Sequence, residues 1–262
     1  MFQQAYGDDE EFIGNIDVVA DSYANVDEIE DGGDLDEEEH LQQQQQGVQS
    51  IPEQVRTFLT YLHRNLQEGR VNDLTYNYET QFPRLSEKYY AKASWPEPQY
   101  VGALVMSDSS SETSSSLFLI LYRELYFRHI YSRLHPSLET RFQSFENYCD
   151  LFNHILNSDG PTDLELPNQW LWDIVDEFIY QFQSFCSHRS RLNKRSEEEI
   201  ALLKENAQVW STYSVLNVLY SLMQKSNIVE QLRVQQEDGD VAAVAGEFGL
   251  RPLYKMLGYF SI

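Results

Sequence analysis

Residues 165–185 read ELPNQWLWDIVDEFIYQFQSF and set two Trp, three Phe and one Tyr within a few helical turns of Asp173, Asp176 and Glu177. The stretch is either a set of carboxylates in an aromatic pocket or one buried helix face with a solvated back. Leu171, Ile174, Phe178, Phe182 and Phe185 step by three or four into a single stripe, which Trp172, Val175 and Ile179 widen. Asp173, Asp176 and Glu177 fall largely on the opposite side, with Gln181 one turn further on. Paired carboxylates act as acid and base only where they converge across a cleft in unlike environments. Neighbours on one solvated helix face ionise alike. The aromatics are therefore expected to be core and the acids to face water.

The same helical spacing extends in both directions. In PEQVRTFLTYLHRNLQE the residues Val55, Phe58, Leu59, Leu62 and Leu66 share a face, and the fold is expected to begin at Ile51-Pro52. A second helix is predicted from about Asn72 to Phe82, with Pro83 kinking it or opening a new turn, and PRLSEKYYAK continuing to Ala93. SWPEPQY reads as a loop. Ser107–Ser116, SDSSSETSSS, reads as a flexible surface loop. LFLILYRELYFRHIYSR is apolar on nearly every side except at Arg123, Glu124 and Arg128, as a helix central to a bundle would be. Ser137 is a plausible cap for a helix that carries Phe142, Phe145, Cys149, Phe152 and Leu156. Ser196 and Glu199 spell a capping box, a long helix is predicted from Ala207 to Lys225, and shorter ones follow to the end. No stretch alternates at period two between hairpin turns. The expected fold is all-α, a TPR-like solenoid of antiparallel helices, although no repeat of fixed length stands out. The apolar LYKMLGYFSI ends without a polar outer face. Either it packs back on earlier helices or further units follow, and the second is expected.

Composition limits the functions open to such a chain. The net charge is −23 over 262 residues, yet residues 1–50 hold 15 acids and no Lys or Arg, leaving 27 acids against 19 bases elsewhere. That segment, ending in a glutamine run, is expected to be a disordered acidic tail before a helical domain over 51–262. The absence of a dominant basic face argues against wrapping nucleic acid. Cys149 and Cys186 are read as reduced core thiols of a soluble, cytoplasmic protein, since MFQQAYGDDEEF lacks the features of a signal peptide.

Motifs of chemistry are missing. His129 and His135 lie six apart, which does not place both on one helix face. There is no Gly-rich phosphate cradle, nucleophile elbow or dinucleotide fingerprint, so neither an enzyme nor a cofactor is indicated. One local charge inversion stands out in HRSRLNKR: Arg189, Arg191, Lys194 and Arg195 are candidates for contact with RNA or an acidic partner. Against that reading, cations following a helix C-terminus also complement its dipole.

LILYRELYFRHIYSRL, LELPNQWLWDIVDEFIYQFQSF, SVLNVLYSLMQKSNI and LYKMLGYFSI, in this order, resemble the subunit L family of eukaryotic translation initiation factor 3 over roughly residues 51–262. The resemblance implies a non-enzymatic scaffold subunit of the factor that binds the small ribosomal subunit. Members of the family carry a helical array followed by a PCI domain ending in a winged helix. The chain is expected to stop before that region, which places the implied contacts with subunits K and E outside it. Helical scaffold subunits of the proteasome lid or the signalosome are the alternative, and an all-helical enzyme with a carboxylate site is the remote one.

Overall fold

A computed structural model describes residues 45–106, 112–191, 193 and 195–262. Among these residues there is no strand. The expected acidic tail lies outside the described residues up to position 44, while 45–50, assigned to the tail from the sequence, are helical. Helix α1, Glu53–Gln67, begins after Pro52 and buries Val55, Phe58, Leu59 and Leu62, the stripe read from the sequence. Gly69 stops it at φ +62°, a left-handed turn that costs little without a Cβ. The next helical run is α2, Val71–Tyr76, a π-turn at Asn77–Gln81, and α3, Phe82–Tyr89. The π-turn answers the question raised by Pro83. A wider turn ahead of the proline relieves the clash between its ring and the preceding carbonyls, so the rod continues.

Other expected boundaries move as well, and α3 stops at Tyr89, short of the expected Ala93. Residues 98–100 of SWPEPQY are helical, because Pro98 opens α4, Pro98–Met106, at the one turn where its missing N–H is not needed. The serine-rich stretch is split: residues 107–111 lie outside the described residues, but 112–116 belong to α5, Glu112–Arg133. Residues 206–210 are a turn and not the start of a long helix. Trp210 sits there at φ +51°, fully buried, donating from Nε1 to the Arg141 carbonyl at 2.9 Å. A bulky residue takes a left-handed conformation only where packing demands it. Here the indole fills a space among Phe145, Tyr148 and Phe178.

The remaining helices are α6, Leu138–Leu156, α7, Asn168–Arg189, α8, Glu197–Glu205, α9, Thr212–Ser226, α10, Ile228–Gln236, α11, Val241–Gly249, and α12, Pro252–Phe260. Ser137 caps α6, and Ser196 with Glu199 completes a capping box on α8. The central position read for α5 holds: it packs against α1, α4, α6 and α7. The apolar C-terminus packs back, α12 lying on α7 and α9. The Tyr254 hydroxyl donates to the Ile155 carbonyl at 2.9 Å, and Lys225 Nζ donates to the Leu156 carbonyl at 2.5 Å. The last helices are thereby fastened to the end of α6. One contiguous core runs from Ile51 to Leu257 through Trp95, Trp170 and Trp210.

Candidate functional site

The stripe of α7 is core as expected, with Leu171, Ile174, Phe178 and Phe185 buried. Its back is not uniformly wet, which corrects the expectation that the three acids ionise alike. Only Asp176 is exposed. Asp173 meets α5 and the π-turn: it accepts a hydrogen bond from the Tyr78 hydroxyl, and Arg128 Nη1 lies 3.4 Å away. Glu177 is half-buried, and burial pushes its carboxyl up to about 7, against the pull of the Arg128 charge. Gln181, placed on the solvated back, is fully buried. Trp172, placed in the core, is 46% exposed and meets the Phe260 ring edge-on. A single helix drawn in isolation cannot show which flank a neighbouring helix covers.

Beneath Asp173 lies the most deeply buried carboxylate of the described chain. Glu124 is 1% exposed. It accepts from Arg128 Nε at 3.0 Å, from Arg128 Nη2, and from Trp170 Nε1 at 3.0 Å. Arg128 also donates to the Tyr78 oxygen, whose ring stacks on Trp170 with centroids 4.8 Å apart. Burial works against the Arg128 charge more than any single neighbour favours it, but Glu124, Tyr78 and Tyr148 together outweigh burial and hold the guanidinium above its ordinary value. Burial is also the main reason that the Tyr78 phenol is held up. Every donor of this cluster is directed at an oxygen within it. The arrangement pins α5, α7 and the π-turn together, and neither of the two surface hollows described is lined by Glu124, Asp173 or Glu177. Among the described residues, no three His, Cys, Asp or Glu side chains come together to hold a metal ion. Cys149 and Cys186 are free and half-buried.

The basic cluster is partly dispersed. Arg189 lies over the Phe185 ring at 5.6 Å, and Lys194 lies outside the described residues. Arg191 and Arg195 do converge, on a hollow of about 400 Å³ whose wall also includes Arg141, Tyr180, Ser184 and His188. Arg141 reaches it from the first turns of α6 and is buried, its Nη1 donating to Ser184 Oγ at 2.9 Å. Sequence reading missed Arg141, which sits 50 residues upstream among ordinary polar helix positions. Arg195 Nη2 lies 2.8 Å from His188 Nδ1. A guanidinium can only donate, so Nδ1 accepts and the proton of the neutral ring is on Nε2. Burial, with the charges of Arg141 and Arg195, pushes the imidazole down to about 4. Among the described residues, no carboxylate comes within salt-bridge distance of these three arginines.

Comparison with known proteins places the chain in a family. The family model described as RNA polymerase I-associated factor PAF67 matches residues 140–262. A protein from Nematostella vectensis named "Eukaryotic translation initiation factor 3 subunit L" is 47% identical over 246 residues, covering 92% of this chain and 45% of the relative. The proteins of the same name from Mycosarcoma maydis and Homo sapiens are 54% and 48% identical, covering 81% and 84% of this chain and 31% and 42% of theirs. The chain thus spans less than half the length of these curated relatives. Identity at this level over most of the chain agrees with the resemblance carried by the four quoted segments, and the chain belongs to the family of eukaryotic translation initiation factor 3 subunit L.

Proposed function

We propose that this chain is a non-catalytic helical scaffold segment of eukaryotic translation initiation factor 3, cytoplasmic, and that it supports assembly of the factor and its work on the small ribosomal subunit. The observation that carries this reading is the 47–54% identity, over most of the chain, to proteins named for that factor. The physical arrangement is consistent with it. Of the carboxylates that prompted an enzymatic reading, Asp173 joins the buried cluster around Glu124, Asp176 is exposed, and none of the three lines either described hollow. Tyr213, Leu216 and Tyr220 lie along one face of α9 and are 58–69% exposed, a surface suited to further helices. Contacts with subunits K and E belong, in this reading, to the part of the family beyond this chain.

The test is affinity purification of the tagged chain from cells, followed by identification of what it retains. The reading expects small ribosomal subunits and sibling subunits of factor 3, with subunit K dependent on the longer family protein. Recovery of proteasome lid, signalosome or RNA polymerase I components without factor 3 would refute it. Direct capture of purified subunit K would move that contact into this chain.

A further inference from the structure

We propose that the hollow walled by Arg141, His188, Arg191 and Arg195 is a recognition site for a phosphorylated serine or threonine presented by an extended segment of a partner protein. The arrangement is costly as it stands. Arg141 is 9% exposed and lies close enough to Arg195 for the two charges to repel. No described carboxylate neutralises either one. Leaving the buried Arg141 guanidinium without an anion is unfavourable even over the Tyr131 ring, and the part-buried Arg195 beside it adds repulsion. The polar atoms around them are unsatisfied in the same sense. Arg141 Nε, Arg195 Nε and His188 Nε2 are all buried without a hydrogen-bond partner, and all three are donors. The nearby acid that acts on His188 is Glu199, which caps its own helix at Ser196 and comes within salt-bridge distance of none of the three arginines. The site is built from donors and cations and lacks the one thing that both require, an anionic acceptor.

The shape of the charge selects the kind of anion. A nucleic-acid strand carries a phosphate at every nucleotide and is held by a track of cations. Here the positive charge is a single focus. The exposed flank that follows it is acidic, Glu197 and Glu198, and the whole chain carries −23. A phosphorylated side chain instead delivers nearly two negative charges at one point with three acceptor oxygens, which is what a small cluster of arginines engages best. Ser184 and Tyr180 at the rim offer hydroxyl groups to the neighbouring backbone of such a segment.

The full chain, labelled for nuclear magnetic resonance, is titrated with acetyl-Gly-Gly-phosphoserine-Gly-Gly-amide, with the same peptide unphosphorylated, and with a uridine oligonucleotide. The phosphopeptide is expected to shift the backbone resonances of Ser184, Ser187 and His188 and to bind at least about tenfold more tightly than the unphosphorylated form. Replacing the exposed Arg191 and the half-buried Arg195 together, Arg191→Gln with Arg195→Gln, is expected to remove at least about tenfold of that affinity, whereas Arg123→Gln on α5 leaves it unchanged. Equal response to the two peptides, or none to either, overturns the proposal. So does an oligonucleotide that binds more tightly than the phosphopeptide through the same arginines, because the site would then be an RNA contact.

Discussion

Replacement of Glu124 tests whether the buried ionic cluster is structural. Glu124→Leu removes the oxygens that accept from Arg128 Nε and Nη2 and from Trp170 Nε1. Loss of one partner of a buried pair costs about 3–5 kcal/mol, because the other charge stays buried and unpaired. Asp173 remains 3.4 Å from Arg128 and its side chain is 27% exposed, so part of that charge is still compensated and the lower end of the range applies. The orphaned indole N–H adds about 1 kcal/mol. The expected loss is therefore about 3–4 kcal/mol, a large share of the roughly 5–15 kcal/mol that holds a domain together. Arg128→Met alone should cost a similar amount, by stranding Glu124. The double variant Glu124→Leu/Arg128→Met removes both charges, leaves Tyr78 its Asp173 acceptor, and should fall within about 1–2 kcal/mol of the wild type. Urea unfolding followed by circular dichroism and by tryptophan fluorescence measures all four proteins. A double variant that costs the sum of the singles, or a Glu124→Leu protein within about 0.5 kcal/mol of the wild type, would refute the argument.

Two further outcomes follow from individual residues. Glu177 ionises at about 7 in the folded chain against an ordinary 4.5. As pH rises through that window the unfolded chain gives up its proton first, and stability falls. Glu177→Gln should therefore stabilise the protein above pH 7 by about 2 kcal/mol, after allowance for the half-buried position, and should match the wild type below pH 4.5. Thermal melts of the pair across this range read only the difference, which cancels the opposite trend from His188. A benefit that is equal at both ends would sink the assignment. In α12, a Cβ on Gly258 would lie 2.0 Å from Ser226 Oγ and 3.1 Å from the Leu222 carbonyl of α9. Gly258→Ala should lower stability by about 1–3 kcal/mol despite the better helix propensity of Ala, and a raised urea midpoint would contradict that close crossing.

The local rules written in the chain were enough for the rods. Apolar stripes at helical spacing gave α1, α6 and α7, a run apolar nearly all round gave α5, and Ser137 and Ser196 with Glu199 marked the starts of α6 and α8, because helical period and capping depend on neighbours within one turn. Boundaries failed where something distant was decisive. Trp210 is bent into a left-handed turn by a space among three rings on two other helices, and α4 follows from a Pro that reads as loop until its helix is seen. The basic cluster was half legible. Arg191 and Arg195 stand together in the sequence, whereas Arg141, which turns a dispersed charge into a focused one, arrives from another helix.

By itself, then, the sequence settled that this chain folds as packed helices around aromatic rings and, through long matching segments, which family it belongs to. Only the tertiary structure decided what its charged groups do. Whether Glu124, Asp173 or Glu177 faces water, an arginine or an indole depends on α5 crossing α7, and burial and pairing between segments far apart in the chain fix the energy of a charge.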